Sequence, residues 1–175
     1  QLLARRTDVK CGAYCTAGAG TTEPTGVTVE ASDSGLSSLT TSPTLDNLID
    51  LKYSIDAEWH ESPSFCFMAH PTTIKGFKKT LAAEGAAFFR PKSTPDGYDY
   101  LDGTPLIANR HMPVADGSRG IICGDLNEFA VVIRNEILIQ RLDERFAELY
   151  QTAFSAVLRM DSHLLNTSAV KYATI

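Results

Sequence analysis

Cysteine is scarce in this sequence. Cys11, Cys15, Cys66 and Cys123 are all that its 175 residues contain, too few and too scattered to form a disulfide scaffold. Cys66 and Cys123 lie inside apolar runs, where a thiol packs as a small hydrophobe, so all four are read as reduced, in a cytosol. No apolar run approaches the ~20 residues that a membrane-spanning helix needs, and no secretory or transit pattern is read. A large charge excess is missing too: 16 basic against 21 acidic side chains leave a net charge of -5. Spread along the chain, that balance argues against an electrostatic grip on nucleic acid.

Catalytic signatures are equally sparse. There is no Gly-x-Ser-x-Gly elbow, no Cys-x-x-Cys pair and no His-Glu-x-x-His helix. The Gly-rich stretch Thr16–Gly26 lacks the Lys-Ser/Thr ending of a phosphate loop and the third Gly and helix of a dinucleotide fingerprint. It reads as an ordered loop and not a helix. His60 and Glu61 are sequence neighbours and point different ways on a helix, so they make a poor metal pair and His60 reads as a solvated helix end. His70, His111 and His163 each fall beside a turn or helix end. Cys11 and Cys15 with two histidines match no zinc spacing. Lys75, Lys78 and Lys79 read as the wet face of an amphipathic helix. Asp125 is the single acid inside an apolar sheet segment, and a turn-capping carboxylate is a simpler reading than a general base. Asn166-Thr167-Ser168 matches a glycosylation acceptor, without a secretory context to give it meaning. No catalytic, cofactor-binding or metal-binding residue is assigned, and no cofactor is expected.

What the sequence does have is sheet. Arg119–Gln140 carries three short apolar runs, Ile121–Cys123, Phe129–Ile133 and Ile137–Ile139, rich in β-branched residues and bounded by turn residues. Gly124 and Asp125 are expected to interrupt it, and Asn135-Glu136 to form a tight connection, giving a three-stranded meander. The runs are apolar on both alternating phases, which predicts that both faces are covered.

The rest follows in order. Residues 1–9 read as the end of a helix, and the missing Met suggests a chain that begins upstream. Val27–Glu30 alternates like a short strand, and 32–42 reads as a surface loop. Ser42-Pro43 starts a helix with Leu48, Leu51, Ile55 and Trp59 on one apolar stripe. Ser64–His70 reads as a buried strand. His70-Pro71 opens a second helix carrying Ile74, Phe77 and Leu81 and ending before Gly85. Ala86–Arg90 is a short apolar stretch, Ser93–Gly103 a loop with two Asp-Gly turns, and Pro105–Asn109 a strand. Leu142, Phe146, Leu149 and Tyr150 suggest a short helix. Thr152–Met160 returns to strand alternation and pairs with the earlier long strand. Asp161–His163 reads as a turn and Ala169–Ile175 as a closing strand. With 43% hydrophobic residues, a chain of this length can bury roughly 70% of its extended surface.

Several of these segments, in this order, resemble the major capsid protein of tailed bacteriophages, the Hong Kong 97 fold. Thr16–Val27 is similar to the glycine-rich loop after that family's long spine helix. Ser64–Gly85 resembles its strand, Pro-started helix and Lys-rich end, and Leu101–Pro113 its Gly-x-Pro strand and Met-Pro turn. Ile121–Arg134 is similar to its Gly-Asp strand pair. Arg159–Ser162 with Ala169-Val170-Lys171 resembles its last turn and closing strand.

The resemblance implies an α+β protein with mixed, mostly antiparallel sheets and flanking helices. It implies a peripheral-type domain of residues 1–42 and 129–163 and an axial-type domain of 43–128 and 164–175. The family's N-terminal arm, extended loop and most of its spine helix would precede Gln1, so the chain reads as a C-terminal fragment. The Lys–Asn cross-link of some members is not carried over. The implied function is structural: a subunit that self-assembles, through pentamers and hexamers, into an icosahedral head shell around the phage genome. Scaffolding, protease or decoration proteins are the further partners implied. DNA would be contacted only non-specifically, no membrane is involved, and the protein would reside in the virion after assembly in the host bacterial cytoplasm. An encapsulin-type compartment shell is the same-fold alternative, and an unrelated α/β enzyme the alternative of another class.

Overall fold

The computed structural model describes residues 12–13, 15–36, 45–84, 89–90, 98–115, 117–142 and 147–175. At its centre β6 (Ile121–Asp125) is buried at every position. β6 is flanked by β2 (Phe65–Ala69) and β9 (Val170–Ala173) in a seven-stranded sheet. The sheet continues on one side to β1 (Ser32–Asp33), and on the other through β5 (Thr104–Ala108) and β4 (Asp99–Leu101) to β3 (Phe89–Arg90). β2–β5 and β1–β9 pair in parallel; β2–β6, β6–β9, β4–β5 and β3–β4 are antiparallel. The expected α+β class with mixed, mostly antiparallel sheets holds.

Strand alternation divides the sheet into two faces. One carries Phe65, Phe67, Ala69, Leu106, Ile121, Cys123 and Ala173, and helices cover it. α2 (Leu45–Tyr53) buries Leu48 and Leu51 there, and α4 (Pro71–Glu84) buries Ile74 and Phe77. Truncating a fully buried Phe or Leu in such a core costs roughly 2–5 kcal/mol. The opposite face carries Ile122 and Val170 and is covered by Val27 and Ala31 of the α1 region (helix Val27–Glu30), with Met112 and Leu164.

Several local expectations change. The stripe of Leu48, Leu51 and Ile55 is buried as expected, but the helix ends at Tyr53 and a separate turn, α3 (Ala57–His60), presents the half-buried Trp59 between the two core clusters. Val27–Glu30 is a helical turn and not a strand. Ala31 N donates to Val27 O at 3.0 Å and Val29 N to Gly26 O at 2.9 Å, so tertiary packing of Val27 overrides β-branched propensity. Part of the predicted Ser93–Gly103 loop is strand: Asp99–Leu101 is joined to β5 through Asp102 (φ 46°) and Gly103 (φ 73°), the left-handed pair of a tight hairpin turn.

The largest correction concerns the meander. Gly124 and Asp125 do not interrupt β6 but complete it, opposite Cys66 and Phe65. Asn135-Glu136 is not a turn but falls where the ladder shifts register between Arg134 and Leu138: Phe129–Leu142 is one 14-residue strand, β7, following a 3-10 turn at Leu126–Glu128. Its partner β8 (Ala153–Leu164) runs through Asp161–His163, which are paired with Val132, Val131 and Ala130 and are not a turn. The pairing of β7 with β8 is as expected. Between the two strands Leu142 is sheet and Ala147–Leu149 a 3-10 turn, in place of a helix over 142–150. The predicted helix end at 1–9, the Ser42-Pro43 start, Gly85, Ala86–Phe88 and Phe146 lie outside the described residues.

Candidate assembly surface

β7 and β8 form a two-stranded sheet of their own, an arrangement that is marginal in water unless something packs on it. Its base is well anchored. Phe129 faces Leu164, and both join the core cluster beneath β6. Asp125 Oδ1 accepts from Asn127 N at 2.9 Å, holding the 3-10 turn that redirects the chain from β6 into β7. The expected capping role is therefore the one this buried acid performs. Glu30 of α1 accepts from Leu164 N and pairs with Nδ1 of His163. Ser162 Oγ donates to Thr25 O at 2.7 Å.

Beyond the base the ribbon leaves cover. Val132, Ile133, Leu138 and Ile139 on β7 and Phe154 on β8 are 59–69% exposed. The expectation that both faces of these runs are covered fails among the described residues. A sequence records that a strand's faces are apolar; whether the same chain or a neighbour covers them is a property of packing. Contiguous exposed apolar area of this kind marks an interaction surface.

The other candidates fall apart spatially. His60 is half-buried and not simply solvated: its ring stacks on Phe65 (4.8 Å between centroids) and Tyr53 (5.7 Å), with Nε2 3.2 Å from Ile55 O. His70 caps α4, its Nδ1 accepting from Thr72 N at 3.1 Å. His111 N donates to Asn109 Oδ1 at 2.9 Å, and Asn109 Nδ2 donates to Thr16 Oγ1 at 3.0 Å. Lys75 and Lys79 are exposed, and Lys78 pairs with Asp99 at 2.8 Å. In the Gly-rich segment Gly26 N donates to Gly18 O at 2.9 Å, and Thr16 and Ala17 belong to a helical turn and not to the loop expected there. Among the described residues no three His, Cys, Asp or Glu side chains gather as a metal site, and none of Cys15, Cys66 and Cys123 is in a disulfide.

Two clefts were candidates for a small molecule. One, of about 720 Å³, is lined by Cys66, Tyr98, Tyr100, Pro105, Ile107 and Leu126 among others. Burial, then the charge of Asp125, pushes the Cys66 thiol up to about 11, so it offers no nucleophile at neutral pH. The other, of about 770 Å³, includes Lys52, His60 and Asp102. There Lys52 Nζ is committed to Asp102 Oδ2 at 2.8 Å and to Asp102 O at 3.0 Å, tying α2 to the β4–β5 turn. Lys52 and His60 thus work in the fold. The exposed ribbon was the feature that sequence reasoning missed, and its signal was present in the doubly apolar alternation of residues 129–139.

Comparison with known proteins agrees with this geometry. The capsid of a native GTA particle, computed with C5 symmetry, superposes with a TM-score of 0.73 at 18% identity, covering 99% of this chain and 64% of that one. The corresponding empty particle gives 0.72 at 19%, covering 99% and 65%. The holo-SrpI encapsulin complex from Synechococcus elongatus PCC 7942 gives 0.67 at 16%, covering 98% and 63%. At such identities the likeness shows the fold, and the chain spans less than two thirds of the length of each of these structures. No curated protein matches the sequence. The profile of the phage capsid family, however, matches residues 1–175, and with it the resemblance drawn from the sequence is shown: the chain belongs to the phage capsid family.

Proposed function

We propose that the protein is a major capsid subunit whose copies assemble into the icosahedral head shell around a phage genome. The observation that carries this reading is the β7–β8 ribbon, anchored at one end and apolar on faces that the described part of the chain leaves open. Copies of the same chain in pentamers and hexamers supply that cover, and repeated modest interfaces add up through symmetry. The role is mechanical and not catalytic. Residues 1–42 and 129–163 form the peripheral-type domain and 43–128 with 164–175 the axial-type domain. The separation of the ribbon from the seven-stranded sheet supports setting 129–163 apart, whereas β1 (Ser32–Asp33) pairs with β9 within the larger sheet. Scaffolding, protease or decoration proteins act on the assembling shell in the host cytoplasm, and the mature protein resides in the virion with only non-specific contact to DNA.

The likeness to an encapsulin supports a second reading, a compartment shell that encloses a cargo protein. Electron microscopy and sedimentation of the full-length protein test both. Closed particles are expected, and small species at all concentrations would overturn either form of shell. Nucleic acid inside particles purified from infected or induced cells supports the capsid, and a protein cargo without genome supports the compartment.

A further inference from the structure

The two faces of the ribbon differ chemically. Side chains directly opposite in an antiparallel pair share a face, so Ile133 with Met160, and Ile139 with Ala156, lie on one side. The other side places Arg134 directly opposite Arg159, and both are exposed. Like charges in this position repel. Neither guanidinium has an ion pair or hydrogen bond among the described residues. Asp161, opposite Val132 and two residues from Arg159, lies on the same face but is in no ion pair with either arginine among the described residues, and an anion that accepts from both planar forks offsets the repulsion that remains.

The complementary charge is on the same chain. Asp46 and Asp50 lie one helical turn apart on α2, and Asp56, Glu58 and Glu61 surround α3; all are exposed. None is in an ion pair among the described residues, and Lys52, the one lysine within 46–61, is engaged by Asp102. We propose that the Arg134–Arg159 pair of one copy docks on the acidic helical face, Asp46 to Glu61, of a second copy. The proposal rests on the shell reading and names one of its contacts. Two different patches make a head-to-tail contact, which closes into a ring when the rotation allows. Charge complementarity sets the register and speeds encounter. Val132 and Val157, each two residues along its strand from an arginine of the pair, lie on the same face and would be buried with it. Exposed, unpaired carboxylates on the same chain favour a second copy over nucleic acid as the occupant.

Charge exchange in the full-length protein tests this. Arg134→Glu with Arg159→Glu is expected to reduce the yield of sedimenting particles by about tenfold or more, with the circular dichroism and melting of the subunit unchanged. Arg134→Lys with Arg159→Lys is expected to assemble, with stronger sensitivity to salt than wild type. Adding Asp46→Lys, Asp50→Lys and Glu58→Lys to the Glu pair is expected to restore particles. If the Glu pair unfolds the subunit, the milder Arg134→Gln, Arg159→Gln form takes its place in the same exchange. Normal particles from the Glu pair, or no restoration by the lysine substitutions, overturns the contact while leaving the shell reading intact. Particles that form normally but lose nucleic acid assign the pair to the genome instead. If the wild-type protein itself yields no particles, it is the shell reading that fails.

Discussion

Arg119 holds its guanidinium 4.2 Å above the ring of Tyr172 and donates from Nη1 to the carbonyls of Thr28 and Val29, each at 2.7 Å. One side chain thus joins the loop before β6, strand β9 and the carbonyl end of α1. The α1 turn is too short to be stable alone, and it carries Glu30, the anchor for the ribbon's base. Arg119 is thereby linked to the base of the proposed assembly surface.

Arg119→Ala is expected to lower subunit stability by about 1–3 kcal/mol, combining a cation–π contact with two charge-assisted hydrogen bonds. Arg119→Lys should recover only part, since an ammonium cannot both stack and fork. Urea unfolding midpoints of the three proteins decide it. Equal midpoints for wild type and alanine would remove the bridge from the account.

Gly124 is the position where the sheet tolerates no side chain. A Cβ there would lie 2.2 Å from Ala169 O and 2.7 Å from Val170 Cα, at a φ of +148°. Both obstacles are backbone, at the start of β9 and just before it, and cannot rotate away. Gly124→Ala is expected to cost about 3 kcal/mol or more and to appear as insoluble protein. At Gly103 nothing lies within 4 Å of an added Cβ, so Gly103→Asn, which keeps a residue tolerant of positive φ, should cost less than about 1 kcal/mol. Similar soluble yields of the two variants would contradict this.

Cys66 and Cys123 should resist thiol reagents at pH 7 until the protein unfolds. Burial, followed by Asp125, raises Cys66 from 9.0 to about 11. Burial, followed by the charge of Cys66, raises Cys123 well above 9.0, with Lys52 opposing. A thiol with a raised folded-state pKa contributes stability that is fully present below its unfolded value and is lost as pH rises through the folded value. Subunit stability should therefore fall between pH 9 and about 11, and less steeply in Cys66→Ala at equal starting stability. Labelling of Cys66 at neutral pH as fast as in denaturant would sink the prediction.

Ile139 and Phe154 are 67% and 69% exposed, so a charge there desolvates little in the isolated subunit. Ile139→Asp and Phe154→Asp are expected to change its stability by no more than about 0.5 kcal/mol and to suppress particle formation strongly, because an assembled interface would bury the carboxylate. Light scattering and unfolding, measured on the same preparations, separate the two effects. Loss of subunit stability matching the loss of assembly would place these residues in the subunit's own core instead.

Much of the architecture was legible in local patterns. The buried strand at Phe65–Ala69, the helix opened by Pro71, the pairing of the two long strands and the capping role of Asp125 each follow from side chains acting on their near neighbours. Resemblance across five segments supplied the α+β fold and the family. Misreadings fell where a short segment satisfies two patterns equally. Val27–Glu30 alternates yet forms a helical turn because Val27 is wanted in the core, and Asn135-Glu136 has turn chemistry yet produces only a register shift within one long strand.

What the sequence by itself determined was which residues are apolar, and at what period, along each strand and helix; that suffices to specify elements, since period and propensity are local. Only the tertiary structure decided what lies against each apolar face. Among the described residues the same β-branched alternation is covered on both sides in β6 and left open along much of β7. Burial is a relation between segments distant in the chain, or between chains, and no single stretch of residues contains it.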